Sequence, residues 1–514
     1  MWRNVLFPFP LMQALRFRVP PNTVPPPLLR KSFFASWGRI PRPAEITIEG
    51  DELVVHPDSK GSGTLHTLWP HRLLGATVES TDSLLPRSRP YSLPKELGRG
   101  ALGRLQKKMF DWQSAGFRPS DELVGSIHEA SRCFSKAATA DDADPEVEKE
   151  LIDLLEQFGR IALEASKSFA AQALAWRMRS GEKISVDFGI GISTPPIETL
   201  YEFDLYAKFL REAFHVVLPM PSWRELEPQS GVFQWELLEE RLVNPIRFGF
   251  NVVMGPLLDF NLTSLPTWLL PNLHEPGVLE ERAARFVNAI TEKYNYLADS
   301  WILATKVNSH DIPELSTSRG IGLVRTLAGL MRSRSVDRSI LVGVDQPWGE
   351  YALWSEPEWD MFQVAEQLAG IPEADSLLIE LHIGLDAQST FPRDPLAVAS
   401  MIDQWSILGK KIYVSFSVPS VSDADPLDTE LAEELQWSEG LQQLWTETLL
   451  TALLPKRNVH GVFWTQLQDI GPDSLEDTKT LAAPMLAFRG LIDAQRTLKL
   501  VFKQFTAFRQ AVVK

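Results

Sequence analysis

In the stretch SLLIELHIG (376–384), Glu380 and His382 stand two residues apart. Along an extended strand such residues face the same side, so a carboxyl group would lie beside an imidazole. Read as chemistry, this is an acid/base pair in which the carboxylate raises the histidine pKa. Read as structure, it is an ion pair in a polar interior with no reaction to perform. A second set lies in GVDQPWGEY (343–351), where Asp345 and Glu350 add carboxyl groups and Trp348 adds a ring that could stack on a sugar. The same ring could equally plug a loop. In VNSHD (307–311), His310 and Asp311 next to Asn308 have the composition of a metal site, and Ser309 with His310 that of a nucleophile and base. Adjacent strand residues point to opposite faces, no spaced His/Cys/Asp set accompanies them, and there is no Gly-x-Ser-x-Gly turn. The expectation is no metal and no other cofactor.

These residues need a scaffold, and the rhythm of the chain from residue 184 predicts one. Eight short apolar runs recur: ISVDFGIGI, FHVVLPM, FNVVMGPLL, WILATKVNS, SILVGVDQPW, SLLIELHIG, KIYVSFSVPS and VHGVFWTQL. Amphipathic stretches lie between them, among them 278–299, 319–333, 393–408 and 438–454. Eight strand-then-helix units predict a (β/α)8 TIM barrel, an α/β fold that gathers its functional groups at the C-terminal ends of its strands. An open doubly wound sheet is the alternative, but no Gly-rich phosphate loop follows the first strand.

Upstream, VPPNTVPPP (19–27) reads as a proline-rich linker or extended arm. AEITIEGDELVVHP reads as a hairpin turning at Gly50-Asp51, part of a small β layer. Helical spacing begins near residue 91, with Ser92 and Pro94 at a helix start. A second helix covers about 119–138, and a third runs from Asp144-Pro145 to about 178. The expected organisation is an arm over 1–34, a small β region over 35–90, a helical packet over 91–182 and the barrel over 183–514. The packet's helices offer a surface for a protein partner, with no motif that specifies one.

The 514 residues carry 51 Lys plus Arg against 66 Asp plus Glu, a formal charge of −15. That balance argues against a nucleic-acid groove, which needs clustered cations. There is no run of eighteen apolar residues, so no membrane span is expected. Cys133 is the only cysteine, which fits a reducing, cytoplasmic location. The opening MWRNVLFPFPLMQALRF has the outline of a signal peptide, which would mean secretion, although prolines interrupt it and no clear cleavage site follows.

One segment makes a resemblance specific. In SWRELEPQSGVFQWELLEERL (222–242), Trp223, Glu227, Pro228, Gly231 and Phe233 are arranged as in the glycoside hydrolase family 10, the xylanase-like barrels. LPTWLL (265–270) is similar to that family's Leu-Pro-x-Trp, and HGVFWTQLQD (460–469) to its closing strand. RPYSLPKELGRG resembles the leading region of a bacterial subgroup. The resemblance implies a retaining hydrolase acting on a xylan-like polysaccharide, with an acid/base glutamate after an asparagine on the fourth strand and a nucleophilic glutamate closing the seventh. Here Asn308 is followed by Ser309, and the IYVSF pattern places Phe416 at the nucleophile position. Sugar-contact positions differ too: Leu218, Pro219, Ser222, Met254 and Gly255 replace polar or aromatic residues, and Glu380 replaces a glutamine, while His382 is kept. A serine cannot serve as a general acid near neutral pH and a phenyl ring cannot attack a sugar.

Three functions follow. The first is a non-catalytic barrel that binds a carbohydrate or a protein partner, with Trp223, Asn308, His382, Trp348 and Trp464 as contacts. The second is a hydrolase with relocated carboxylates, drawn from Glu380, Asp345 and Glu350. The third is a scaffold whose mouth is filled by Phe416 and Met254.

Overall fold

The computed structural model describes residues 14–35, 41, 42, 44–58, 61–141, 144–192, 200–313, 315–384, 389–420, 437–470 and 488–512. Most of the signal-like opening segment lies outside them. The chain divides into two compact units: Met1–Phe169 with Pro392–Leu396 and Thr429–Leu435, and Ala170–Phe391 with Ala397–Asp428 and Gln436–Lys514.

In the first unit two four-stranded sheets precede the helices. Strands β1 (Leu15–Arg18), β4 (Ala44–Glu49), β5 (Glu52–Pro57) and β8 (Tyr91–Ser92) form one sheet in the order β4-β5-β1-β8. Strands β2 (Phe33–Ala35), β3 (Pro41–Arg42), β6 (Thr64–His71) and β7 (Gly75–Ser80) form the other, in the order β3-β2-β6-β7. The predicted hairpin is β4–β5, and Gly50 turns it with φ of 65°, a left-handed conformation that glycine adopts without penalty. The helices span Leu93–Ser114, Asp121–Thr139 and Pro145–Arg179. Ser120 caps the second by accepting from the Leu123 amide, and Asp144 Oδ1 accepts from the Glu146 amide at 3.0 Å at the start of the third.

Buried charges occupy this unit's interior. The His71 ring lies 3.1 Å from Glu79 and 3.5 Å from Glu156, Arg104 pairs with Glu79, and Asp394 lies 3.6 Å from Arg104. Burial pushes the His71 imidazole down, but Glu156 and Glu79 together hold it up at about 9.

The second unit is the closed barrel. Its strands are β9 (Asp187–Gly191), β10 (Val216–Leu218), β11 (Asn251–Met254), β13 (Ser300–Thr305), β14 (Ser339–Asp345), β15 (Ser376–His382), β16 (Lys411–Ser417) and β17 (Val459–Trp464). All pair in parallel; β17 joins β9 and β11 joins β13, with the two-residue β12 (Leu258–Asp259) beside β13. Each barrel strand coincides with one of the eight predicted runs, β13 beginning one residue ahead of its run. They read as continuous apolar stretches because barrel strands are buried on both faces.

Val216, Val253, Ile302, Leu341, Leu378, Tyr413 and Phe463 meet as one cluster inside the ring. Glycines make room for its rings: a Cβ on Gly461 would stand 2.3 Å from the Tyr413 ring, and one on Gly189 would stand 2.5 Å from Phe463. This cluster fixes which residues face inward on the seven strands from β10 to β17 that supply it.

Candidate functional site

From Leu378, alternation along β15 turns Glu380 and His382 inward. From Leu341, alternation along β14 turns Asp345 inward. Asp345 and Glu380 are direct partners across the two strands. From Tyr413, alternation along β16 turns Ser415 and Ser417 inward, partners of Glu380 and His382. The His382 Nδ1 and Ser417 Oγ share a hydrogen bond of 3.2 Å, and His382 Nε2 lies 3.5 Å from Glu380 Oε1.

Two further residues join this group, and neither stood out in the sequence. Lys306 follows β13 and reaches Asp259 Oδ2, at the end of β12, over 3.0 Å. Ser264 Oγ donates to the same oxygen at 3.0 Å. The available signal was their place at the strand ends of WILATKVNS and FNVVMGPLLD. Backbone conformation also marks the rim: Lys306 and Gln346, each next after a barrel strand, have φ of 59° and 47°. Such values are uncommon for residues with side chains and cluster at functional sites.

Asn308 is committed to positioning. Its Nδ2 donates to the Asp345 carbonyl at 2.7 Å, and its Oδ1 accepts from the Asp345 amide at 3.0 Å. Ser309 Oγ donates to Asp345 Oδ2 at 3.4 Å, and the Gln346 amide donates to Oδ1 at 2.8 Å. The segment after β13 therefore holds Asp345 by backbone and side chain.

The electrostatics follow from this packing. Burial raises the Asp345 carboxyl to about 7, with the Glu380 charge adding to the rise. Burial likewise raises Glu380 to about 7, although Lys306 opposes it. For Lys306, burial opposes the charge, but Asp259, Glu380 and Asp345 outweigh it and keep the ammonium firmly protonated. His382 departs from expectation: burial pushes it down to about 4, so it is a neutral imidazole at neutral pH. Asp345 and Asp259 pull it upward, but desolvation is the larger effect.

Several candidates lie elsewhere. Phe416 points out of the barrel, opposite to Ser415 and Ser417, and stacks on Phe505 of the helix Val501–Val512 at 5.8 Å and 22°. Trp464 meets Phe416 and Phe505 edge-on at 5.6 Å, and its Nε1 donates to the Arg489 carbonyl. It is 0% exposed, so it presents no ring face to a ligand. Met254 follows the inward Val253 and so lies on the outer face. The expectation of a mouth filled by Phe416 and Met254 is corrected accordingly.

Trp223 is 2% exposed and stacks on Phe286 at 4.8 Å. Its Nε1 donates to Glu227 Oε2 at 2.7 Å, while Glu227 Oε1 accepts from the Gly231 amide. The Trp-Glu-Pro-Gly segment is thus a self-satisfied folding unit and not a sugar platform. Trp348 is half-buried. Glu350 is fully buried, its Oε1 accepts from the Phe391 amide at 3.4 Å, and it supplies none of the leading charges that shift Asp345 or Glu380. His310 and Asp311 do not join the cluster as ligands: Asp311 Oδ1 accepts from the Leu262 amide at 2.7 Å.

No protein-family model matches the chain, and no curated protein matches its sequence. Solved structures do align with it. An endo-β-1,4-xylanase of glycoside hydrolase family 10 from Gloeophyllum trabeum is 13% identical, over 64% of this chain and 96% of its own, with a TM-score of 0.46. Xylanase 10B from Thermotoga petrophila, in complex with xylobiose, is 12% identical over 66% and 97%, with a TM-score of 0.46. Xylanase B from Clostridium stercorarium is 16% identical over 65% and 98%, with a TM-score of 0.45. The chain's second unit is a (β/α)8 barrel.

Proposed function

We propose that this protein is a family 10 type barrel without retaining glycosidase activity, and that it holds a carbohydrate at the C-terminal ends of its barrel strands. One observation carries the reading: the side chains that the fourth and seventh barrel strands supply to the mouth. Retaining hydrolysis needs two carboxyl groups roughly 5–5.5 Å apart, flanking the scissile bond. The segment after β13 supplies Ser309, bonded to Asp345, and β16 turns in Ser415 and Ser417. Hydroxyls in those places leave the double displacement without an acid and without a carboxylate nucleophile. The mouth is nevertheless polar, with a lysine, an imidazole and carboxyl groups that suit sugar hydroxyls. Trp348 is the one of the three candidate tryptophans that keeps accessible surface.

A second reading, hydrolysis by relocated carboxylates, is favoured by the pairing of Asp345 with Glu380. Neighbouring strands lie about 4.8 Å apart, so these groups stand side by side on one wall and do not face each other across a bound sugar. That arrangement ranks it second.

Purified protein should show no turnover of xylan or aryl xylosides above background, and should retain specific ligands on a glycan array. Hydrolysis with retention that disappears in Glu380→Gln would replace the first reading with the second.

A further inference from the structure

We propose that the mouth of the barrel selects an amino sugar, with the protonated amine seated against Glu380 and Asp259. The inference rests on the carbohydrate reading and names the class of sugar. Its starting point is the hydrogen bonding of three carboxyl groups. Asp345 is satisfied by the Gln346 amide and Ser309. Asp259 Oδ2 takes Lys306 and Ser264, but its Oδ1 is buried with no hydrogen-bond partner. Glu380 Oε1 faces His382, while Oε2 is buried with no partner. Glu380 is 8% exposed, and alternation along β15 aims it into the barrel.

Buried acceptors without donors are costly, and a ligand that brings donors relieves the cost. An ammonium brings three donors, no acceptor and a positive charge, so its bonds to carboxylates are charge-assisted. A sugar hydroxyl brings one donor and an acceptor that itself needs a partner. The charges point the same way. Asp259, Asp345 and Glu380 act on Lys306, His382 stands neutral beside them, and the buried Arg489, whose Nη2 donates to the Ile383 carbonyl at 3.1 Å, acts on His382. Burial, with Glu380 acting on Asp345 and Asp259 acting on Glu380, keeps protons on both carboxyl groups up to about pH 7. An arriving ammonium would favour their ionised forms, so binding at pH 6 should release protons. At that pH the amine itself is charged.

The test uses the full chain and three β-1,4-linked disaccharides that differ at C2: the glucosamine dimer, cellobiose and N,N′-diacetylchitobiose. Calorimetry at pH 6 and low salt should give the amine at least tenfold tighter binding than either neutral sugar. Its binding enthalpy should vary with the ionisation enthalpy of the buffer, as proton release requires. Glu380→Gln, with folding checked by circular dichroism, should remove the amine's advantage. Equal affinity for the three sugars, absence of proton release in the unmodified protein, or an advantage that persists in Glu380→Gln would each overturn the proposal. If cellobiose binds with no gain for the amine, this inference falls and the carbohydrate reading stands; if no saccharide binds, both fall.

Discussion

Phe416 lies between Trp464 and Phe505 in the layer where the barrel sheet meets a helix, and that position determines what a carboxylate there would do. Phe416→Glu would remove a stacked ring and bury a carboxyl group among aromatic side chains. Truncating a buried phenylalanine costs about 3–5 kcal/mol, and an unpaired buried carboxylate adds to that. Urea unfolding should therefore show a loss of at least that order, with no gain of xylosidase activity. Ser415→Glu is the informative contrast, because Ser415 faces the barrel beside Glu380. Its cost should be smaller, and the new carboxyl would join the mouth as a neighbour of the Asp345–Glu380 pair. The Ser309→Glu/Phe416→Glu double variant should remain inactive on xylooligosaccharides, since one of its two carboxylates would sit on the wrong side of the sheet. If Phe416→Glu is as stable as the parent, the assignment of β16's faces fails.

At the level of elements, the eight barrel strands were legible because each is a short apolar run bounded by turns and separated by helical stretches. The same property hid which way they face. A strand buried on both sides carries apolar residues at odd and even positions, so period two does not separate inside from outside. Motif position placed Phe416 inside, whereas Tyr413 fixes the register that turns it out. Lys306 and Asp259 were missed for a related reason: a charged residue at a strand end reads as a solvated loop until its neighbours are known. In the first unit, the pairing of β6 and β7 brings His71 and Glu79 toward Glu156 of the long helix, and pH should report on it. His71 is held at about 9 in the folded protein against an ordinary 6.5. Its contribution is complete below pH 6.5 and fades as pH rises toward 9. For Glu79, burial raises the pKa but Arg104 and His71 outweigh it, so its contribution is lost on the acid side. Melting temperature should therefore fall between pH 6.5 and 9, and His71→Gln should flatten that fall while lowering stability near pH 6. An unchanged alkaline slope in the variant would assign the slope to other groups.

The whole chain carries 66 acidic against 51 basic side chains, and its long-range field should act on ligands before any contact forms. Asp345 and Glu380 add negative charge to that field once they ionise above about pH 7, so at pH 8 both scales disfavour anions. A plain xylooligosaccharide is neutral, whereas one bearing a glucuronate side group is negative at neutral pH. If the carbohydrate reading holds, the decorated oligomer should bind more weakly than the plain one of equal length. Electrostatic origin makes a specific demand on that difference. The screening length is about 30 Å at about 0.01 M salt and about 3 Å at about 1 M, so the field of distant charges is removed at the higher concentration. The affinity gap should therefore be wide at low salt and should shrink as salt rises, while affinity for the plain oligomer stays nearly constant. Titrations of both oligomers across that range decide the matter. A gap that does not change with salt would locate the discrimination in the shape of the mouth and not in the charge of the molecule.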